Sequence, residues 1–164
     1  MGELFGGMSI DKECYDKILG ILPSGKTILE FGSGDITNLF AERYKVYSVE
    51  HDKEWVGTAS GSTYIHAPLV LDGKNPSIYW YDVTVLKNEL PEKYDLILID
   101  GPPARMSTNR MTRQGFYRNI DLFNLNDVIL VFDDIHRQTD KEGMILVAEK
   151  LNKEYQIFES GISQ

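Results

Sequence analysis

The chain is predicted to fold as an α/β domain: a doubly wound, mostly parallel sheet of about six to seven strands with helices on both faces. Three observations predict it. Short β-rich runs alternate with stretches of helical periodicity along the whole chain. The runs at 96–99 and 128–132 are apolar almost without a break, as in strands covered on both faces. Strands of that kind are parallel, and right-handed crossovers wind helices onto both sides of their sheet. The length, 164 residues, suits one domain spanning 1–164.

The elements follow in order. Ile10, Cys14, Ile18 and Leu22 are spaced by four and mark one face of a helix over 9–22, with Ser9 as N-cap and Pro23 and Gly25 as the stop. Thr27–Phe31 is β-rich and runs into glycines. Residues 36–43 read as a helix, Lys45–Glu50 as a second strand and 53–59 as a short helix. A third strand over 63–67 is ended by Pro68. Residues 69–79 hold the turn signals Asp72-Gly73 and Asn75-Pro76, and form a hairpin or an irregular insertion. Residues 81–90 fit a helix better than a strand. A buried strand over 94–100, a helix over 114–123 and a buried strand over 128–132 come next. An amphipathic helix over 140–152 and a last strand over 155–159 complete the pattern.

Composition excludes several classes. With 42% hydrophobic and 26% charged residues, the chain is neither disordered nor collagenous nor a coiled coil. Lys and Arg total 17 against 25 acids, a formal charge of -8. A nucleic-acid binder draws most of its affinity from a basic face, so no nucleic acid is expected as partner. The single Cys14 allows neither an intrachain disulfide nor a cysteine zinc cluster, and reads as a small apolar residue on a helix face. The first residues lack a basic n-region and a long apolar stretch, and no run is long enough to span a bilayer. A cytoplasmic location without a membrane partner is expected, and an oligomer is left open.

In a doubly wound sheet, ligands bind beyond the carboxyl ends of the strands. The polar residues at those ends are Glu30, Glu50, Asp100, Asp133 and Asp134. The strongest motif is Glu30-Phe31-Gly32-Ser33-Gly34. Its glycines fill two positions of a dinucleotide fingerprint, but Thr37 stands where the third glycine belongs. Glu30 is the telling residue: a pyrophosphate cradle has no use for a negative charge there, whereas a cationic ligand does. Glu50 follows 20 residues later, at the end of the second strand, where an acid accepts two ribose hydroxyls. The combination asks for an adenosine-type ligand with a positive end.

These residues, with Tyr94-Asp95-Leu96-Ile97-Leu98-Ile99-Asp100-Gly101-Pro102-Pro103, resemble the class I S-adenosylmethionine-dependent methyltransferases, whose fold is Rossmann-like. The resemblance runs from about residue 27 to 158. It implies S-adenosyl-L-methionine as cofactor. Glu30, Phe31, Gly32, Ser33 and Gly34 would hold the methionine moiety, and Glu50 the ribose. His51 would lie beside the adenine and Asp100 near the methyl group. Ser48-Val49-Glu50-His51-Asp52 together with Ile99-Asp100-Gly101 is also similar to the branch containing glucuronoxylan O-methyltransferases. The family usually has seven strands, whereas only six are expected here, apart from a hairpin at 69–79.

Asp100, Asp133 and Asp134 end neighbouring strands, and hard divalent ions such as Mg2+ prefer oxygen ligands of this kind. The arrangement resembles catechol O-methyltransferase, although Pro103 occupies the place of that family's catalytic lysine. The alternative is that these acids cap the next segment and order the loop. Four of the six arginines, Arg105, Arg110, Arg113 and Arg118, lie in one fourteen-residue stretch after Asp100. They read either as a salt-bridged face or as the docking site of an anionic small-molecule acceptor such as a uronic acid or a phosphate. Asp100, Asp134 and His136 are the candidate proton acceptors. His66, Trp55 and Trp80 read as structural. A nicotinamide oxidoreductase binding NAD and a cofactor-binding module without turnover are the rival readings.

Overall fold

The computed structural model describes residues 4–6, 9–106 and 112–158. Among them, five strands form one parallel sheet. They are β1 (Thr27–Phe31), β2 (Lys45–Glu50), β3 (Ser62–His66), β6 (Leu96–Ile99) and β7 (Ile129–Phe132), in the spatial order β3-β2-β1-β6-β7. An antiparallel hairpin of β4 (Leu69–Asp72) and β5 (Asn75–Tyr81) stands apart from this sheet and resolves the two readings of 69–79. The helices are α1 (Lys12–Ile21), α2 (Asp35–Ala41), α3 (Val83–Glu89), α4 (Gly115–Arg118) and α5 (Gln138–Leu151). No helix among the described residues is long and apolar enough to cross a membrane.

Side chains alternate across each strand, so the sheet feeds two cores. Ile28, Val46, Leu96 and Leu98 point to one face and meet Ile10, Ile18, Leu22, Ile36 and Phe40 from the first two helical segments. Leu29, Phe31, Val49, Ile97 and Ile99 point to the other and meet Trp80, Tyr81, Leu86, Phe116 and Val147. Each large apolar side chain buried in this way contributes about 1.5–3 kcal/mol of transfer free energy. Burial on both faces explains the unbroken apolar runs, and helices do cover both sides.

Several boundaries differ from expectation. Helix α1 begins after Asp11, whose carboxylate accepts the Cys14 amide at 2.7 Å, so Asp11 rather than Ser9 is the cap. Residues 53–59 make turns instead of a helix. The helix expected over 114–123 is broken into a 3-10 turn at Thr112–Gln114, the single turn of α4 and a second 3-10 turn at Ile120–Leu122. A Cβ on Gly115 would lie 2.4 Å from the Trp80 ring, so close packing on the hairpin dictates the backbone there. Residues 155–158 form no strand, and Tyr155 and Phe158 are 49% and 55% exposed; Glu159 lies outside the described residues. Strand β7 is therefore an edge strand among the described residues, paired only with β6.

Candidate functional site

The order of chain connection reverses between β1 and β6, which places a crevice beyond their carboxyl ends. The loop after β1 contributes Gly32, Ser33 and Gly34, and the loop after β6 contributes Asp100 and Gly101. Gly32 has φ +87, a conformation that favours glycine. A Cβ on Gly32 would lie 3.2 Å from the Gly101 backbone, and one on Gly101 would lie 2.9 Å from Gly32 and 2.5 Å from the Tyr81 hydroxyl. The two loops thus touch backbone to backbone.

Glu30 is 3% exposed. Its Oε1 accepts the Thr37 hydroxyl at 2.7 Å and the Ser48 hydroxyl at 2.6 Å. Thr37 also accepts the Gly34 amide at 3.1 Å, which explains why a hydroxyl residue stands where a dinucleotide fingerprint has glycine. Burial raises the Glu30 carboxyl to about 7, because the two hydroxyl donors only partly replace water. A pocket lined by Glu30, Gly32, Gly34, Thr37, Leu98 and Asp100 opens beside it, so Glu30 and Asp100 face one space from two strands.

Glu50 is organised differently. Its Oε2 accepts the Ser33 amide and the Ser33 hydroxyl, each at 3.0 Å. Its Oε1 accepts the His51 amide at 2.7 Å, the Asp52 amide at 3.0 Å and an ion-pair contact from His51 Nδ1 at 2.9 Å. Burial works to raise its pKa, but these donors prevail and the carboxyl falls below its ordinary value. The acid of β2 is thereby tied to the glycine loop of β1, and a ligand diol would compete with Ser33 for it. Phe31 is the exception among the expected contacts. Its side chain is fully buried against Trp80 and Phe116, away from the crevice, and only its backbone reaches the loop.

The three acids do converge. Asp100, Asp133 and Asp134 each offer a carboxylate oxygen, and these lie within 4.8 Å of one another. Burial, with Asp133 next in weight, pushes Asp100 well above its ordinary value. Burial and Asp134 raise Asp133 as well, so the neighbouring pair binds a proton more readily than ordinary aspartates do. Asp134 sits at φ +58, a left-handed backbone that a non-glycine residue adopts at a cost. Its Oδ2 accepts Arg113 Nη1 at 2.8 Å and Arg137 Nη1 at 2.6 Å. His136 is 73% exposed, with Nδ1 3.9 Å from Asp134 Oδ1.

The arginines separate. Arg113 is buried and turned inward onto the acids, so it does not present itself to an acceptor. Arg105 is exposed, Arg118 is half-buried, and Arg110 lies outside the described residues. His66 Nε2 contacts the His51 carbonyl at 3.2 Å, Trp80 lies in the core as read, and Trp55 is exposed. Burial raises the Cys14 thiol to about 12, which leaves it an unreactive apolar group.

Two groups at the site were not singled out from the sequence. Tyr81 ends β5 and is fully buried with no hydrogen-bond partner for its hydroxyl. Burial, with Glu50 next, holds that hydroxyl well above its usual pKa, so it remains a neutral donor. Asp140 is buried 3.6 Å from Arg137, and burial raises its carboxyl too. Neither carries a local signal: Tyr81 reads as one more strand aromatic, and Asp140 as the start of a helix. The fold and site define an α/β domain with an acid-lined crevice at a topological switch point. No protein-family model matches the chain, and a search of curated proteins finds no match.

Proposed function

We propose that this chain is an S-adenosylmethionine-dependent methyltransferase that methylates an oxygen of a small acceptor. The observation that carries the reading is the pair of acids built around one glycine loop, Glu30 through Thr37 and Glu50 through Ser33. An adenosine ligand with a cationic end would use both: Glu50 would accept the ribose hydroxyls, and the positive charge would favour the ionised form of Glu30. A dinucleotide would bring its pyrophosphate against Glu30 instead.

S-adenosylmethionine supplies a methyl carbon already activated by its sulfonium, so the protein's work is orientation and proton acceptance. Glu50 would fix the ribose, and Glu30 with the 32–34 loop would fix the methionine end. Asp100, on the touching loop, sets the distance between cofactor and acceptor. The proton released by the acceptor hydroxyl passes to the Asp100–Asp133 pair, whose raised carboxyls make stronger bases than an ordinary aspartate. Asp134 is committed to two guanidinium groups and His136 stands at the rim, so both contribute to positioning in this scheme. No step is assigned to a divalent ion, because Arg113 and Arg137 already meet the charge of the cluster.

Calorimetric titration with S-adenosylmethionine and with NAD tests the cofactor. Binding of the first and not the second is expected, and NAD binding alone overturns the reading in favour of an oxidoreductase. Labelled methyl transfer to a panel of uronic acids, sugar phosphates and catechols then tests turnover. Tight cofactor binding with no product from any acceptor favours a module without catalysis.

A further inference from the structure

Arg113 is 8% exposed and lies inside the acidic cluster at the ends of β6 and β7. Its Nη1 is 2.8 Å from Asp134 Oδ2 and 3.4 Å from the Asp133 carbonyl. Its Nη2 donates to the Asp100 carbonyl and is 3.4 Å from Asp100 Oδ1, while Nε donates to the Pro102 carbonyl at 3.4 Å. Every partner is an oxygen, two from carboxylates and three from the main chain. That is the donor set a hard divalent ion collects.

A divalent ion at the meeting point of the three carboxylates would share Asp100 and Asp134 with a guanidinium already bonded to both. Charges of like sign a few ångströms apart in a partly desolvated site repel strongly. Arg137 takes up further charge on Asp134 from the outer side at 2.6 Å. The spacing of the carboxylates suits an ion, but the cation is built in.

We propose that Arg113 is the resident cation of this cluster, doing with a side chain what a divalent ion does in a metal-dependent site. It ties the loop at 100–102 to Asp133 and Asp134, and it holds Asp134 in its left-handed backbone. The assignment stands apart from the methyl-transfer reading, since it concerns charge and loop geometry whatever the ligand. Two consequences follow. The native protein has no divalent-ion site here, and removing the guanidinium creates one, because the cluster, left with Arg137 on Asp134 alone, would then recruit an ion.

The test uses Mn2+ as probe on the full chain, read by thermal unfolding and by electron paramagnetic resonance of bound metal. Native protein is expected to shift its Tm by less than about 1 °C with 1 mM Mn2+ or with a chelator, and to bind no stoichiometric ion. Arg113→Met, which keeps the apolar stem, is expected to lose about 4 °C or more and to regain at least half with Mn2+. One ion should bind per chain, and adding Asp133→Asn should abolish it. Arg113→Lys, with charge but no fork, should lose Tm and still bind no Mn2+. If Arg113→Met fails to fold without metal, refolding in Mn2+ should recover it. The proposal is overturned by a native protein that binds one Mn2+ and loses it with Asp133→Asn. It is equally overturned by an Arg113→Met protein of native Tm, or by one that Mn2+ neither binds nor restores.

Discussion

Replacing Glu30 with glutamine should make the protein more stable in mild alkali. Glu30 is buried, and its carboxyl is raised from 4.5 to about 7. Its contribution is fully present below the unfolded value of 4.5, where both states hold the proton. It is lost as pH rises through about 7, because the folded state must then ionise a carboxyl that burial disfavours. At about 1.4 kcal/mol for each tenfold change in proton affinity, the interval costs about 3 kcal/mol when complete. Most of that falls between pH 5 and 8.5. Glu30→Gln removes the ionisation, and the amide carbonyl can still accept the Thr37 and Ser48 hydroxyls. Urea unfolding followed by the fluorescence of buried Trp80 measures the gap at each pH. The variant should gain on the native protein steadily as pH rises, while its affinity for a cationic cofactor falls. An offset that stays constant across pH, or a variant losing ground at high pH, refutes the reasoning.

Two more outcomes follow from contacts at the crevice. Gly101→Ala places a methyl 2.5 Å from the Tyr81 hydroxyl and 2.9 Å from the Gly32 backbone, and should cost about 1–3 kcal/mol in urea unfolding; a cost below about 0.5 kcal/mol would show that the loops can part freely. Tyr81→Phe deletes a buried hydroxyl with no partner and should leave stability unchanged or raise it by up to about 1 kcal/mol; a clear loss in thermal unfolding would reveal a bound water or other acceptor.

Legibility in the sequence tracked how local the cause was. Thr27–Phe31 and Lys45–Glu50 keep the bounds read from their β-rich runs, because burial between two helical layers marks most of their residues. Glu30, Gly32 and Glu50 were found because strand ends next to glycines are visible in order and spacing. The convergence of Asp100 with Asp133 and Asp134 was legible from strand adjacency alone. The broken helix after Arg113 was not, since its course depends on Trp80 of a distant hairpin pressing against Gly115. The direction of Arg113 was equally hidden. Four arginines close together look alike in sequence, and only the position of the Asp134 carboxylate draws one of them inward. Residues 155–158 have the alternation of a strand, but pattern alone provides no neighbour to pair with.

The contact between Gly32 and Gly101 couples the two loops mechanically. Each glycine occupies the space where the other's side chain would go, and Tyr81 closes the remaining gap. Glycine is therefore demanded at both positions by the fold itself, before any ligand arrives. A side chain added at either one meets the other as a wall, so the loop after β1 and the loop that carries Asp100 move as one part.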